Sequence, residues 1–80
     1  MKAERSIVYY DKKTDQYLGE IPIDIELEKL KQIFAPKKKD PLLYDPYKIG
    51  QEQKKAIYKL ITINLDLDTY NYFLECFQKK

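Results

Sequence analysis

Two carboxylates, Asp66 and Asp68, stand two residues apart in the run TINLDLD, a spacing that puts both on one face of an extended chain. Carboxylates paired in this way can hold a divalent cation or share acid–base work. Asp24, Glu26 and Glu28 make a second acidic group, and Lys37–Lys39 a basic run that an anionic partner could use. The one thiol is Cys76. Each group also has a plainer role. Asp66 and Asp68 read as the solvated side of a hairpin end, and Asp24 to Glu28 as charges complementing the positive end of a helix. Lys37–Lys39 read as a solvated loop. Cys76 reads as a small core residue, on a strand with no helix N-terminus to activate it.

Composition narrows the choice. There is no His, so neither a Ser–His nor a Cys–His dyad can be built, and zinc has no ligand set. Two Gly in the whole chain make no phosphate-cradling loop. The expectation is a binding module that uses no cofactor and no metal, rather than an enzyme. Its abundant side chain is tyrosine, eight in 80 residues, a type that brings large contact area with a polar tip and few rotamers to lose.

Two regions can present such contacts. Tyr44 and Tyr47 flank Asp45-Pro46, placing two aromatics and a carboxylate on a proline-stiffened loop; alternatively these rings cap the core. Near the C-terminus, Tyr72, Leu74 and Cys76 alternate with Asn71, Phe73, Glu75 and Phe77, and near the N-terminus Ile7 and Tyr9 alternate with Val8 and Tyr10. Both sides of these strands are partly apolar, and only one can meet the helices. The other is either an exposed interaction surface or is covered by the long loop. The candidate partner-binding residues are Tyr44, Asp45, Tyr47, Asp66, Asp68, Phe73 and Glu75.

The elements that position them follow from local pattern. Arg5–Tyr10 and Gln16–Ile21, β-prone runs around DKKTD, predict a hairpin with Asp11 and Asp15 in turn positions. Pro22 ends the second strand or puts it at an edge, and Gly19 marks a bulge or a close approach by another backbone. Leu27, Leu30, Ile33 and Phe34 fall at helical spacing, predicting a helix over 25–34 capped by Asp24 and stopped by Pro36. Residues 35–49, with three prolines, predict an ordered irregular segment with room for a short edge strand. A second helix is expected over 51–60, opened by Gly50. TINLDLD alternates cleanly, predicting a strand over 62–68 paired as a hairpin with another over 70–78, and Lys79–Lys80 a solvated tail. The fold class expected is α+β: one domain over 1–80, with a four-stranded antiparallel sheet of two hairpins and two helices on one face, in the order ββααββ.

Fifteen basic and thirteen acidic residues give a net charge of +2, with both signs interspersed. That balance singles out no polyanionic partner. No apolar run is long enough to cross a membrane, and the opening residues have no secretory apolar region. A lone Cys suits a reducing compartment. A cytoplasmic monomer or weak homodimer is expected, without membrane contact.

The segments YYDKKTDQYLGEIPIDI, LEKLKQIF, PLLYDPYKI and LDLDTYNYFLECFQ resemble a family of small bacterial proteins of unassigned function, over nearly the whole chain. Such families often neighbour polymorphic and contact-dependent toxins, where immunity proteins are encoded. The resemblance implies an immunity-type protein that binds and neutralises a cognate toxin domain, and it transfers no site residues. Immunity proteins against basic nucleases are commonly acidic, whereas this chain is slightly basic, so either its toxin is not strongly cationic or a local acidic patch meets it. Two other readings are a nucleic-acid-binding module, stacking bases on sheet aromatics with Lys37–Lys39, Lys54, Lys55 and Lys59 on the phosphates, and a homo-oligomeric regulatory subunit. Carboxylates on the strands interrupt any basic stripe, which weighs against nucleic acid.

Overall fold

Asp11 begins the first turn as its residue type requires: one carboxylate oxygen accepts from the backbone N–H groups of Lys13 and Thr14, at 2.8 and 3.1 Å. Asp15 takes a left-handed conformation with φ 60° and donates back to the Asp11 carbonyl. In the computed structural model, which describes residues 2–79, this turn joins β1 (Lys2–Asp11) to β2 (Tyr17–Ile23). There follow α1 (Leu27–Phe34), β3 (Tyr47–Lys48), α2 (Gln51–Ile61) and β4 (Tyr70–Lys79). The sheet is antiparallel throughout, in the spatial order β2-β1-β4-β3.

The α+β class, the four strands and the two helices agree with expectation. The order ββαβαβ does not match the ββααββ read from sequence, because one strand lies elsewhere. The alternating run 62–68 is one-sided, with Leu65 buried and Ile63 and Leu67 packed against the core, but it starts at a left-handed Thr62, ends in the turn at 67–69 and pairs with no strand. The ladder that it was expected to join is taken. β4 pairs with β1 along its length and with β3 at Leu74 and Phe73, and the Ile49 N–H donates to the Tyr72 carbonyl at 2.9 Å. The fourth strand is instead the two-residue β3, within the proline-rich segment. The second hairpin is therefore absent, and the chain closes by laying β4 between β1 and β3.

Smaller differences have local causes. α1 begins at Leu27 behind Glu26, which makes no side-chain cap, rather than behind Asp24. It ends at Ala35, in left-handed conformation, just before Pro36. Gly50 does open α2, and its N–H donates to the Gln53 side chain at 3.0 Å. β2 is an edge strand and runs through Pro22, which removes a donor from its ladder. The register slips between Tyr9 and Tyr10 opposite Gly19, where an added Cβ would come within 3.0 Å of the Tyr9 hydroxyl. The bulge expected at Gly19 is there, but the close approach is by the Tyr9 side chain and not by another backbone. Lys79 belongs to β4, while Lys80 of the expected tail lies outside the described residues.

Register assigns the sheet's two faces. Arg5, Ile7 and Tyr9 share a side with Cys76, Leu74 and Tyr72, with Ile21 of β2 and with Tyr47 of β3. The core forms on that side, where Ile7, Leu74 and Tyr72 cluster with Leu30 and Phe34 of α1, Ile57 of α2, and Leu43, Ile49 and Leu65 from the connections. Cys76 is only half-buried at its margin. Both helices thus cover one face. Among the described residues no helix is long and apolar enough to cross a membrane.

Candidate functional site

The opposite face carries Ser6, Val8 and Tyr10 of β1, Glu20 and Tyr17 of β2, and Asn71, Phe73, Glu75 and Phe77 of β4. The helices α1 and α2 pack on the other side. Tyr10 meets Tyr17 edge-on at 5.7 Å and Phe73 edge-on at 5.8 Å between ring centroids. Tyr17 is 54% exposed and Phe77 is also exposed. Val8 is only 2% exposed although it points away from the helices. Val8 lies on the central strand between Glu20 of β2 and Phe73 of β4, and Tyr10, two residues along on the same face, packs edge-on against that Phe73 ring. Desolvation first, and then the Glu75 charge, raise the Tyr10 pKa, so the phenol stays neutral throughout the physiological range.

Beside Tyr10 and Phe73 lies a groove of about 350 Å³ lined by these two rings with Asp15, Pro46 and Glu75. Three separate parts of the chain build it. β1 and β4 supply the floor, the Asp11-ordered turn brings Asp15, and the proline-rich segment brings Pro46.

Asp40 holds that last wall in place. This carboxylate, 6% exposed, accepts from the backbone N–H groups of Tyr44 (2.8 Å) and Asp45 (2.9 Å) and from the Tyr47 hydroxyl (2.8 Å). Burial alone would raise its pKa. The Asp45 and Tyr44 donors, the Tyr47 hydroxyl and nearby Lys37 outweigh burial and hold it below the usual carboxylate range. Tyr47 also accepts from the Lys37 N–H at 3.2 Å, stacks edge-on with Phe34 at 6.2 Å and lies under the Lys37 ammonium. Burial, opposed by that Lys37 N–H and reinforced by Asp40, raises the Tyr47 pKa.

The expected partner-binding residues therefore separate. Phe73 and Glu75 come together in the groove. Tyr44 and Asp45 are exposed on the loop immediately before Pro46, with Asp45 3.8 Å from Lys37 in a solvated pair. Tyr47 faces the core side, its hydroxyl committed to Asp40. Asp66 and Asp68 are exposed in the turn before β4. The Thr69 side chain, against a smaller effect of burial, holds the Asp66 pKa below its ordinary value, and Asp66 accepts from the Asp68 N–H at 3.2 Å. That turn docks on the helix side, where the Asp66 N–H donates to the Tyr72 hydroxyl at 3.2 Å. It is not part of the groove.

Sequence reasoning missed Tyr10, Tyr17 and Asp15 as site residues, and Asp40 as the residue that shapes the loop. A signal for Asp40 was present: an aspartate a few residues ahead of YDPY is placed to accept from the following backbone N–H groups. Among the described residues, no three of Cys, Asp and Glu gather as metal ligands would.

On the helix side, Gln51, Lys54, Lys55, Tyr58 and Lys59 of α2 and Asn64 line a second groove of about 530 Å³, basic where the first is acidic. Lys37–Lys39 are exposed in the α1–β3 connection and do not line it.

Residues 4–75 match the model of a family described as a domain of unknown function (DUF7683). No curated protein matches the chain.

Proposed function

We propose that this chain, which belongs to the DUF7683 family, is an immunity-type protein that binds a cognate bacterial toxin domain by direct contact and neutralises it. The observation that carries the reading is the uncovered sheet face: aromatic side chains on rigid strands, framed by Glu75, Glu20 and Asp15, beside the loop that presents Tyr44 and Asp45. Strand-borne aromatics lose little freedom on binding and anchor interfaces, while surrounding carboxylates steer a basic partner into register. A chain of net charge +2 can still present such a patch, because its α2 lysines lie on the helix side. The protein acts by occupying the toxin's substrate surface and turns over nothing itself.

The test is co-expression with the toxin domain encoded beside its gene. Growth is rescued and a stoichiometric complex is isolated; absence of both excludes the reading.

One observation favours a second reading, binding of single-stranded nucleic acid. Tyr58 is exposed in the lysine-lined groove of α2, where a base can stack while Lys54, Lys55 and Lys59 hold phosphates. In the form expected from sequence, with sheet aromatics and lysines acting together, this reading is disfavoured, because α2 lies behind the sheet. Affinity for single-stranded oligonucleotides that falls steeply with salt would support the α2 form, and no binding at low salt would exclude it.

A further inference from the structure

The groove on the open face has two walls of different chemistry. Tyr10 and Phe73, which line it, meet with an interplanar angle of 83°, so a ring face and a ring edge form a corner instead of stacking flat, and Tyr17 packs edge-on behind Tyr10. Two carboxylates, Glu75 and Asp15, complete the lining with Pro46, and no cationic side chain is among the lining residues. Lys48, opposite Phe73 on β3, is exposed and lines a different groove, with Lys12.

We infer that this groove is a cage for one cationic side chain, a lysine or arginine of the protein partner. The inference rests on the protein-binding reading of the open face and names the group that the face receives. A cation is attracted to the ring quadrupoles and to the carboxylates, and these two attractions add without competing for the same space. The edge-on packing fixes the rings before binding, so little ordering remains when the cation enters. Glu75 lines the groove together with Tyr10 and faces the incoming charge. Asp15 and Pro46 contribute from segments fixed by Asp11 and Asp40, which are positioning residues.

The experiment is an NMR titration of the full chain with capped Gly-Arg-Gly and Gly-Lys-Gly, against capped Gly-citrulline-Gly as the neutral isostere. At least one cationic peptide is expected to move the Tyr10 and Phe73 ring resonances saturably, and citrulline is expected to leave them in place. E75Q and D15N are each expected to weaken the cationic peptide at least about threefold. Two variants are used so that a folding defect in one does not decide the result. Equal shifts with citrulline, no shifts with either cationic peptide, or indifference to both variants overturns the cage.

With the toxin domain, E75Q is expected to lower affinity about tenfold or more. Toxin binding through this face that is unchanged in both variants overturns the cage and leaves the interface standing. Cationic peptides that titrate while the toxin does not bind overturn the toxin reading and leave the cage standing. Self-association seen by light scattering and lost in E75Q makes a second copy the source of the cation, which overturns a distinct partner.

Discussion

Tyr9 and Tyr10 are adjacent in sequence and belong to two different clusters of rings. On the helix side, Tyr9, Tyr70 and Tyr72 pack at 5.7 to 6.0 Å between centroids. On the open side, Tyr10 packs against Tyr17 and Phe73 at 5.7 and 5.8 Å. The ring spacings are nearly the same; the cover is not. Tyr72 is 6% exposed beneath the helix layer, with its hydroxyl bonded to the 62–68 connection, whereas Tyr17 is half in solvent and the groove beside it is walled by acids. A tyrosine-rich strand is thus not by itself a recognition strand. One face of it stabilises the domain, and the other keeps Tyr17 and Phe77 exposed because neither helix packs on it.

The sharpest way to break this contrast is to truncate one ring on each side. Tyr72→Ala should cost about 3–5 kcal/mol of stability, read by chemical denaturation, because it leaves a cavity and strands the Asp66 N–H. Tyr10→Ala should cost only about 1 kcal/mol and leave a cooperative unfolding transition, yet lower toxin affinity about tenfold or more. Equal stability losses would mean that the open face is structural. Leu65→Ala should cost about 2–4 kcal/mol, as befits a core residue although no ladder holds it.

The acid limb of stability tests the loop that carries Pro46. Asp40 and Asp66 both have folded pKa values below their ordinary ones. Their contribution is therefore complete above the unfolded carboxylate value of about 4, and it is lost as pH falls through the folded values. Thermal melts at successive pH values should show wild-type stability declining below about pH 4, with a shallower decline in Asp40→Asn, which starts from a lower plateau. The smallest effect concerns the unpaired segment. The amide protons of Ile63, Asn64 and Leu65 should exchange with solvent sooner than those of Ile7 and Leu74, which lie in paired strands.

Much of the fold was legible locally. The DKKTD turn, the α1 stripe stopped before Pro36, Gly50 ahead of α2, and the edge position of Pro22 all follow from residue type and spacing. The two-sided pattern of Val8, Tyr10, Phe73 and Glu75 already offered one sheet face as a surface. The candidate site was legible only in part. Phe73 and Glu75 were placed in it by alternation, but Asp15 reaches it through the hairpin turn and Pro46 from a segment far along the chain, and Tyr47 takes the core side through its register with Leu74, which periodicity does not report.

The run 62–68 marks the boundary between the two kinds of information. Alternation determined that Ile63, Leu65 and Leu67 face the core, and they do, although Thr62 is left-handed and Leu67 already lies in a turn. Whether an extended backbone becomes a strand depends on finding a free ladder edge, and β1 and β3 had occupied both sides of β4. Side-chain sidedness is a local consequence of backbone geometry and so is written in the residues themselves. Pairing partners, the covered face and the groove's walls are settled by competition among segments far apart in the chain, which only the folded molecule resolves.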